Sequence, residues 1–80
     1  MDTKRIGRRI KAFRKLKGYT QIAFANELEV PIAVMGAVER GTKQASDELL
    51  DRVSATLAIS KEELTLREAN QDVKGENMEE

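Results

Sequence analysis

The sequence has no cysteine, no histidine and no tryptophan. Without thiols it can form neither a disulfide framework nor a thiolate metal site. Without imidazole the usual zinc, copper and haem ligands are missing as well, so a fold free of metal and cofactor is expected. The same two absences remove the customary nucleophiles and general bases, which makes an enzyme the least supported class of function. No stretch approaches the roughly 20 apolar residues of a membrane span, and no apolar segment follows the basic N-terminus as in a secretory signal. A soluble cytoplasmic protein is therefore expected, with no membrane partner and no constellation pointing to a small-molecule ligand. What is present is 80 residues with 40% apolar content, enough for one small domain. A core of that size supplies only about 3–5 kcal/mol, so stability must come from closely packed helices or from association.

The 14 basic and 14 acidic side chains cancel to a net charge of zero, but they are segregated. Residues 1–19 carry eight basic groups (Lys4, Arg5, Arg8, Arg9, Lys11, Arg14, Lys15, Lys17) against Asp2 alone, a local charge of +7. From Glu62 to Glu80 seven acids face Arg67 and Lys74, a local charge of −5. Such asymmetry suggests a polyanion-facing half and an acidic tail that solvates the chain, binds a partner or folds back over the basic helix. A merely solvated basic helix face has the same charge pattern.

Hydrophobic spacing divides the chain into five helices. Ile6, Ile10, Phe13 and Leu16 recur at helical steps, predicting helix 1 from about Thr3 to Lys17 with Gly18 as its stop. Thr20 is placed to cap a second helix that opens at Gln21 and buries Phe24, Ala25 and Leu28. Val30 to Val38 has no polar side chain, so periodicity alone fits a buried strand or a short helix; it is read here as helix. Gly41 suits a left-handed terminating position, and a loop runs to about Ala45. Ser46, followed by Asp47 and Glu48, predicts the start of helix 4, whose core stripe is Leu50, Val53 and Leu57 and whose end is near Ala58. Ser60 caps a fifth helix containing Leu64. Residues 1–66 are thus expected to form the domain, and 67–80 an acidic, mostly disordered tail.

Thr20-Gln21, Phe24-Ala25, Glu39-Arg40-Gly41, Leu50-x-x-Val53-x-x-x-Leu57, Ile59-Ser60 and Leu64 occur together in order and spacing. Over about residues 4–64 this set resembles the Cro and phage-repressor (XRE-like) type of helix-turn-helix domain. The resemblance implies an all-α, five-helix fold and a transcriptional regulator that binds double-stranded DNA. It implies that helix 2 crosses the DNA backbone and that Pro31 to Val38 is the recognition helix of the major groove. By the same resemblance Gln21 meets a phosphate or a flanking base, and Thr42, Lys43 and Gln44 meet phosphates. Arg14 and Glu39 occupy the places of a structural ion pair joining helix 1 to the end of helix 3. Lys11 and Lys17 are expected to add phosphate contacts. A homodimer on two half-sites is also implied, with one seam running through Leu57 to Leu66 and the acidic tail.

The sequence departs from that pattern mainly on one surface. Where the family places polar base readers, this chain has Ile32, Ala33, Val34, Gly36 and Ala37, none able to hydrogen-bond a base edge; they could meet only thymine methyl groups. Met35 and Val38 are read as core. Glu29 stands where a turn glycine is usual, so either it takes up a left-handed conformation at a cost of about 1–2 kcal/mol or the turn differs. Ala45 replaces a frequent loop proline, and Asp47 an apolar residue. Two functional expectations follow. The chain binds DNA mainly through phosphates, or it keeps the scaffold as a protein-interaction module whose apolar patch includes Ile22, Ala23, Ile32 and Val34.

Overall fold

Side-chain capping accounts for four of the five helix starts. In the computed structural model, which describes residues 2–65, Thr20 Oγ1 accepts from the Ala23 amide at 3.1 Å and Ser46 Oγ from the Leu49 amide at 3.1 Å. Ser60 Oγ accepts from the Glu63 amide at 3.2 Å. These are the three caps that the sequence predicts. A fourth, Asp2, accepts from the Arg5 amide at 3.1 Å and starts the first helix. That backbone hydrogen bond first, and then the charge of Arg5, outweigh desolvation and hold the Asp2 carboxyl below its ordinary 3.8. The cap therefore supports the helix fully above the ordinary value and loses that support as pH falls through the lowered one.

The resulting elements are α1 (Thr3–Leu16), α2 (Gln21–Leu28), α3 (Ile32–Arg40), α4 (Asp47–Leu57) and α5 (Lys61–Thr65). No strand occurs among the described residues, so the apolar stretch after Val30 is helical. α3 runs two residues beyond Val38. It closes where Gly41, at φ 82°, donates to the Val38 carbonyl and Thr42 to the Ala37 carbonyl. The acidic tail expected at 67–80 lies outside the described residues.

Four corners use left-handed backbone, at Gly18, Glu29, Gly41 and Ala58. Glu29 sits at φ 59°, ψ 43°, so of the two alternatives for the α2–α3 turn the chain keeps the turn and accepts the strain. Ala58, at φ 60°, does the same after α4. Neither residue has the glycine that would make this conformation inexpensive.

The helices enclose one core in which Ile10, Phe24, Met35, Leu50, Val53, Leu57 and Leu64 are inaccessible to solvent. Two sequence expectations need correction here. Leu16 is 76% exposed, although its spacing places it on the inner stripe of α1. The inward direction at that end of the helix belongs to Arg14, and a residue two positions on points about 200° away. Leu57 and Leu64 are consumed by the chain's own core, so neither is available to the proposed dimer seam.

α1 crosses α3 almost backbone to backbone. A methyl group at Gly7 would overlap the Val38 carbonyl oxygen and lie 2.9 Å from that of Glu39. Among the described residues no helix is long and apolar enough to cross a membrane.

Candidate nucleic-acid interface

The position of α3 is fixed by a buried polar network. Arg14 Nε donates to Glu39 Oε2 at 2.7 Å, and Arg14 Nη2 to Glu39 Oε1 at 3.1 Å. The remaining guanidinium nitrogen donates to the Tyr19 carbonyl at 2.8 Å. The two charged side chains are only 7% and 2% exposed. Such a forked, charge-assisted pair sets both distance and orientation, and it locks the last turn of α1 to the end of α3. Arg14 is thus a structural residue and has no surface to offer a phosphate.

Gln21 joins the same network. Its Nε2 donates to Glu39 Oε1 at 3.0 Å, so the amide expected at a phosphate is first oriented by a buried carboxylate. A substituent on Gly36 would lie 3.7 Å from Gln21 Oε1 and 3.2 Å from the Arg40 guanidinium. Gly36 is accordingly buried beneath these two side chains. The sequence reading of Gly36 as part of an open apolar face is therefore incorrect; what faces outward at that point is polar.

Val34 also departs from expectation. It is partly buried and packs against the core, because it precedes the core residue Val38 by one helical turn and shares its side of α3. It does not join Ile22 and Ile32 in a patch. Those two remain 63% and 44% exposed, and Ala23 and Ala33 are exposed as well, while Ala37 is half-buried.

Apart from Arg14 in the buried network and Arg5, whose Nε lies 3.8 Å from the Asp2 carboxylate, the basic side chains of the described residues fall into two groups. Arg9 donates to the Glu63 carbonyl, Arg52 to the Leu28 carbonyl and Glu48, and Lys61 lies 3.2 Å from Asp51. On the α4–α5 side, cations are tied to the protein. By contrast Lys4, Arg8, Lys11 and Lys15 succeed one another at steps of four, three and four along one side of α1. The backbone of Lys4 abuts Gly41 at the end of α3. The side chains of these four, and of Lys17, Arg40 and Lys43, make no hydrogen bond or ion pair among the described residues. Thr42 and Gln44 are exposed beside them, with the Thr42 hydroxyl donating to the Ala37 carbonyl at 3.2 Å.

Arg40 is the one polar side chain on the outward side of α3 that the sequence reading overlooks. It stands four positions after Gly36 and seven after Ala33, and so shares the outward side of α3. Because helical side chains lean toward the N-terminus, its guanidinium returns over Gly36 to the middle of the helix.

Two short helices joined by a tight left-handed turn, with the second presented outward beside unpaired cations, define a helix-turn-helix DNA-binding domain. The helix-turn-helix family model HTH_3 matches residues 10–64, and the chain belongs to that Cro/C1-type (XRE) family. It is 44% identical over 64 residues to YazB, an uncharacterized HTH-type transcriptional regulator of Bacillus subtilis (strain 168), covering 80% of this chain and 93% of the relative. Two solved structures are similar at 28% identity. The restriction-modification controller protein C.AhdI from Aeromonas hydrophila aligns with a TM-score of 0.74 over 79% of this chain and 96% of its own. The clp gene regulator ClgR from Corynebacterium glutamicum aligns with a TM-score of 0.79 over 89% and 76%. The chain is a DNA-binding transcriptional regulator of the helix-turn-helix class.

Proposed function

We propose that this regulator holds duplex DNA chiefly through its phosphates, with α3 lying in the major groove and its N-terminal residues Ile32 and Ala33 nearest the bases. Arg40, Lys43 and Lys11 supply the principal phosphate contacts, Lys17 adds charge beside α1, and Gln21, Thr42 and Gln44 add polar contacts at the helix ends. The observation that carries this reading is the sorting of cations. Those on the α4–α5 side are committed to protein partners, whereas Lys4, Arg8, Lys11, Lys15 and Lys17 of the N-terminal region and Arg40 and Lys43 at the end of α3 are not. Unpaired cations gathered on one side favour a polyanion, because each phosphate neutralised releases condensed counterions.

The test is binding of a mixed-sequence duplex at several salt concentrations, for the native chain and for Arg40→Ala and Lys43→Ala. Each phosphate contact contributes about −0.9 to the slope of log K against log salt. Either substitution is expected to make the slope shallower by about that amount and to weaken binding to all sequences alike. A salt-independent affinity contradicts the proposal.

The exposure of Ile22 and Ile32 favours a second reading, a protein-interaction module on the same scaffold. With Val34 turned into the core, that patch is smaller than the sequence suggests. Ile32→Glu is the clean probe of it, and loss of a protein partner with DNA affinity intact would favour this reading. A second copy of the chain on a two-fold DNA site is compatible with either function; its seam must use residues other than Leu57 and Leu64.

A further inference from the structure

The outward side of α3 has an apolar beginning and a cationic end. Ile32 is 44% exposed and Ala33 is exposed beside it, and from Ile32 to Val38 no side chain carries an N–H or O–H group. Base pairs differ in the major groove by hydrogen-bonding groups and by the C5-methyl of thymine. The polar cover of α3, Gln21 and Arg40, lies over Gly36; ahead of it, where Ile32 and Ala33 offer no donor, base pairs are distinguished by the methyl alone. Ala33, small and exposed, keeps the helix profile low beside Ile32 at this end, which brings both apolar side chains close to the groove floor.

Charge identifies what covers this face. Arg40 and Lys43 are unpaired at its far end, and an apolar protein surface laid over it would strip water from both cations without compensating them. A DNA groove meets both needs, with phosphates for the cations and methyl groups for Ile32 and Ala33. We propose that Ile32 and Ala33 form a methyl-reading surface, so that the sequence preference of this regulator is for 5-methylpyrimidines. Thymine is one source of that group and 5-methylcytosine the other. The inference rests on the DNA-binding reading above and goes beyond it by naming the chemical feature recognised.

The experiment uses the full chain and a duplex enriched by it from a random pool, synthesised again with deoxyuridine in place of every thymine. Removing a buried methyl weakens binding about fourfold, so a loss of about 4–16-fold is expected if one or two methyls are contacted. The salt slope should not change, because the phosphates are the same. Ile32→Ala, at an exposed position that does not threaten the fold, should shrink the difference between the thymine and deoxyuridine duplexes. Equal affinity of the native chain for both duplexes overturns the proposal while leaving DNA binding intact. Failure to bind any duplex at low salt overturns the DNA reading and this inference with it. In a third arm, cytosine and 5-methylcytosine are compared at the methyl-sensitive positions. A gain of about fourfold supports recognition of the methyl group from either source; no gain overturns the extension to methylated cytosine and confines the preference to thymine.

Discussion

Arg14, Glu39 and Gln21 show how one buried carboxylate organises a binding surface that it does not itself touch. Glu39 receives two bonds from Arg14 and one from Gln21, so the side chain that fixes α3 against α1 also orients the amide at the start of α2. Removing one member leaves the other charge buried and unpaired, which typically costs about 3–5 kcal/mol. That equals the whole contribution expected of a core this small. Arg14→Met is therefore expected to unfold most of the chain at 25 °C, whereas Arg14→Met with Glu39→Leu recovers much of the lost stability, as urea unfolding would show. A single substitution that left the unfolding midpoint unchanged would mean that the pair is not buried in solution. The pair itself follows from the family resemblance. The role of Gln21 as its third member, and of Arg40 as the polar cover of Gly36, does not. Both depend on where long side chains come to rest across a helix junction, and spacing within one helix carries no record of that.

At the scale of the element, α2 and α3 are joined at a cost. Glu29 and Ala58 both occupy left-handed backbone, worth about 1–2 kcal/mol of strain against a right-handed alternative. Glycine relieves that strain but loses about 0.5–1 kcal/mol of chain entropy. Glu29→Gly and Ala58→Gly are accordingly each expected to stabilise the domain, by up to about 1 kcal/mol, with a higher thermal midpoint as the readout. Where α1 crosses α3 the requirement is reversed. Gly7→Ala forces a methyl group into the Val38 carbonyl and should destabilise by about 1–3 kcal/mol. Because the same crossing sets the attitude of α3, DNA affinity should fall in the fraction that remains folded. The elements were largely evident from the sequence because caps and stripes are local. Thr20, Ser46 and Ser60 act within three residues of themselves, and Leu50, Val53 and Leu57 repeat with the helix. The failures occur at the margins of the stripes. Leu16 and Val34 are apolar in either environment, and only the tertiary packing decides that Arg14 displaces the first outward and that Val38 draws the second in. Gly7 carried no signal at all, since a lone glycine within a helical pattern does not reveal the backbone that approaches it.

Over the whole molecule, charge and shape divide the labour. The α4–α5 side binds its own cations through Glu48, Asp51 and backbone carbonyls, and its leucines are spent on the core. The side formed by α1 and α3 leaves cations unpaired and opens its recognition helix with apolar side chains. A net charge of zero therefore conceals a directional molecule, suited to approach a polyanion from one side only. The most direct test is an NMR titration of the isotopically labelled chain with a mixed-sequence duplex at low and moderate salt. Shifts concentrated at Gln21, Ile32, Ala33, Arg40 and Lys43, weakening as salt rises and sparing α4 and α5, are the predicted result. Shifts centred on α4 and α5, or none at low salt, would contradict the placement of α3 against DNA.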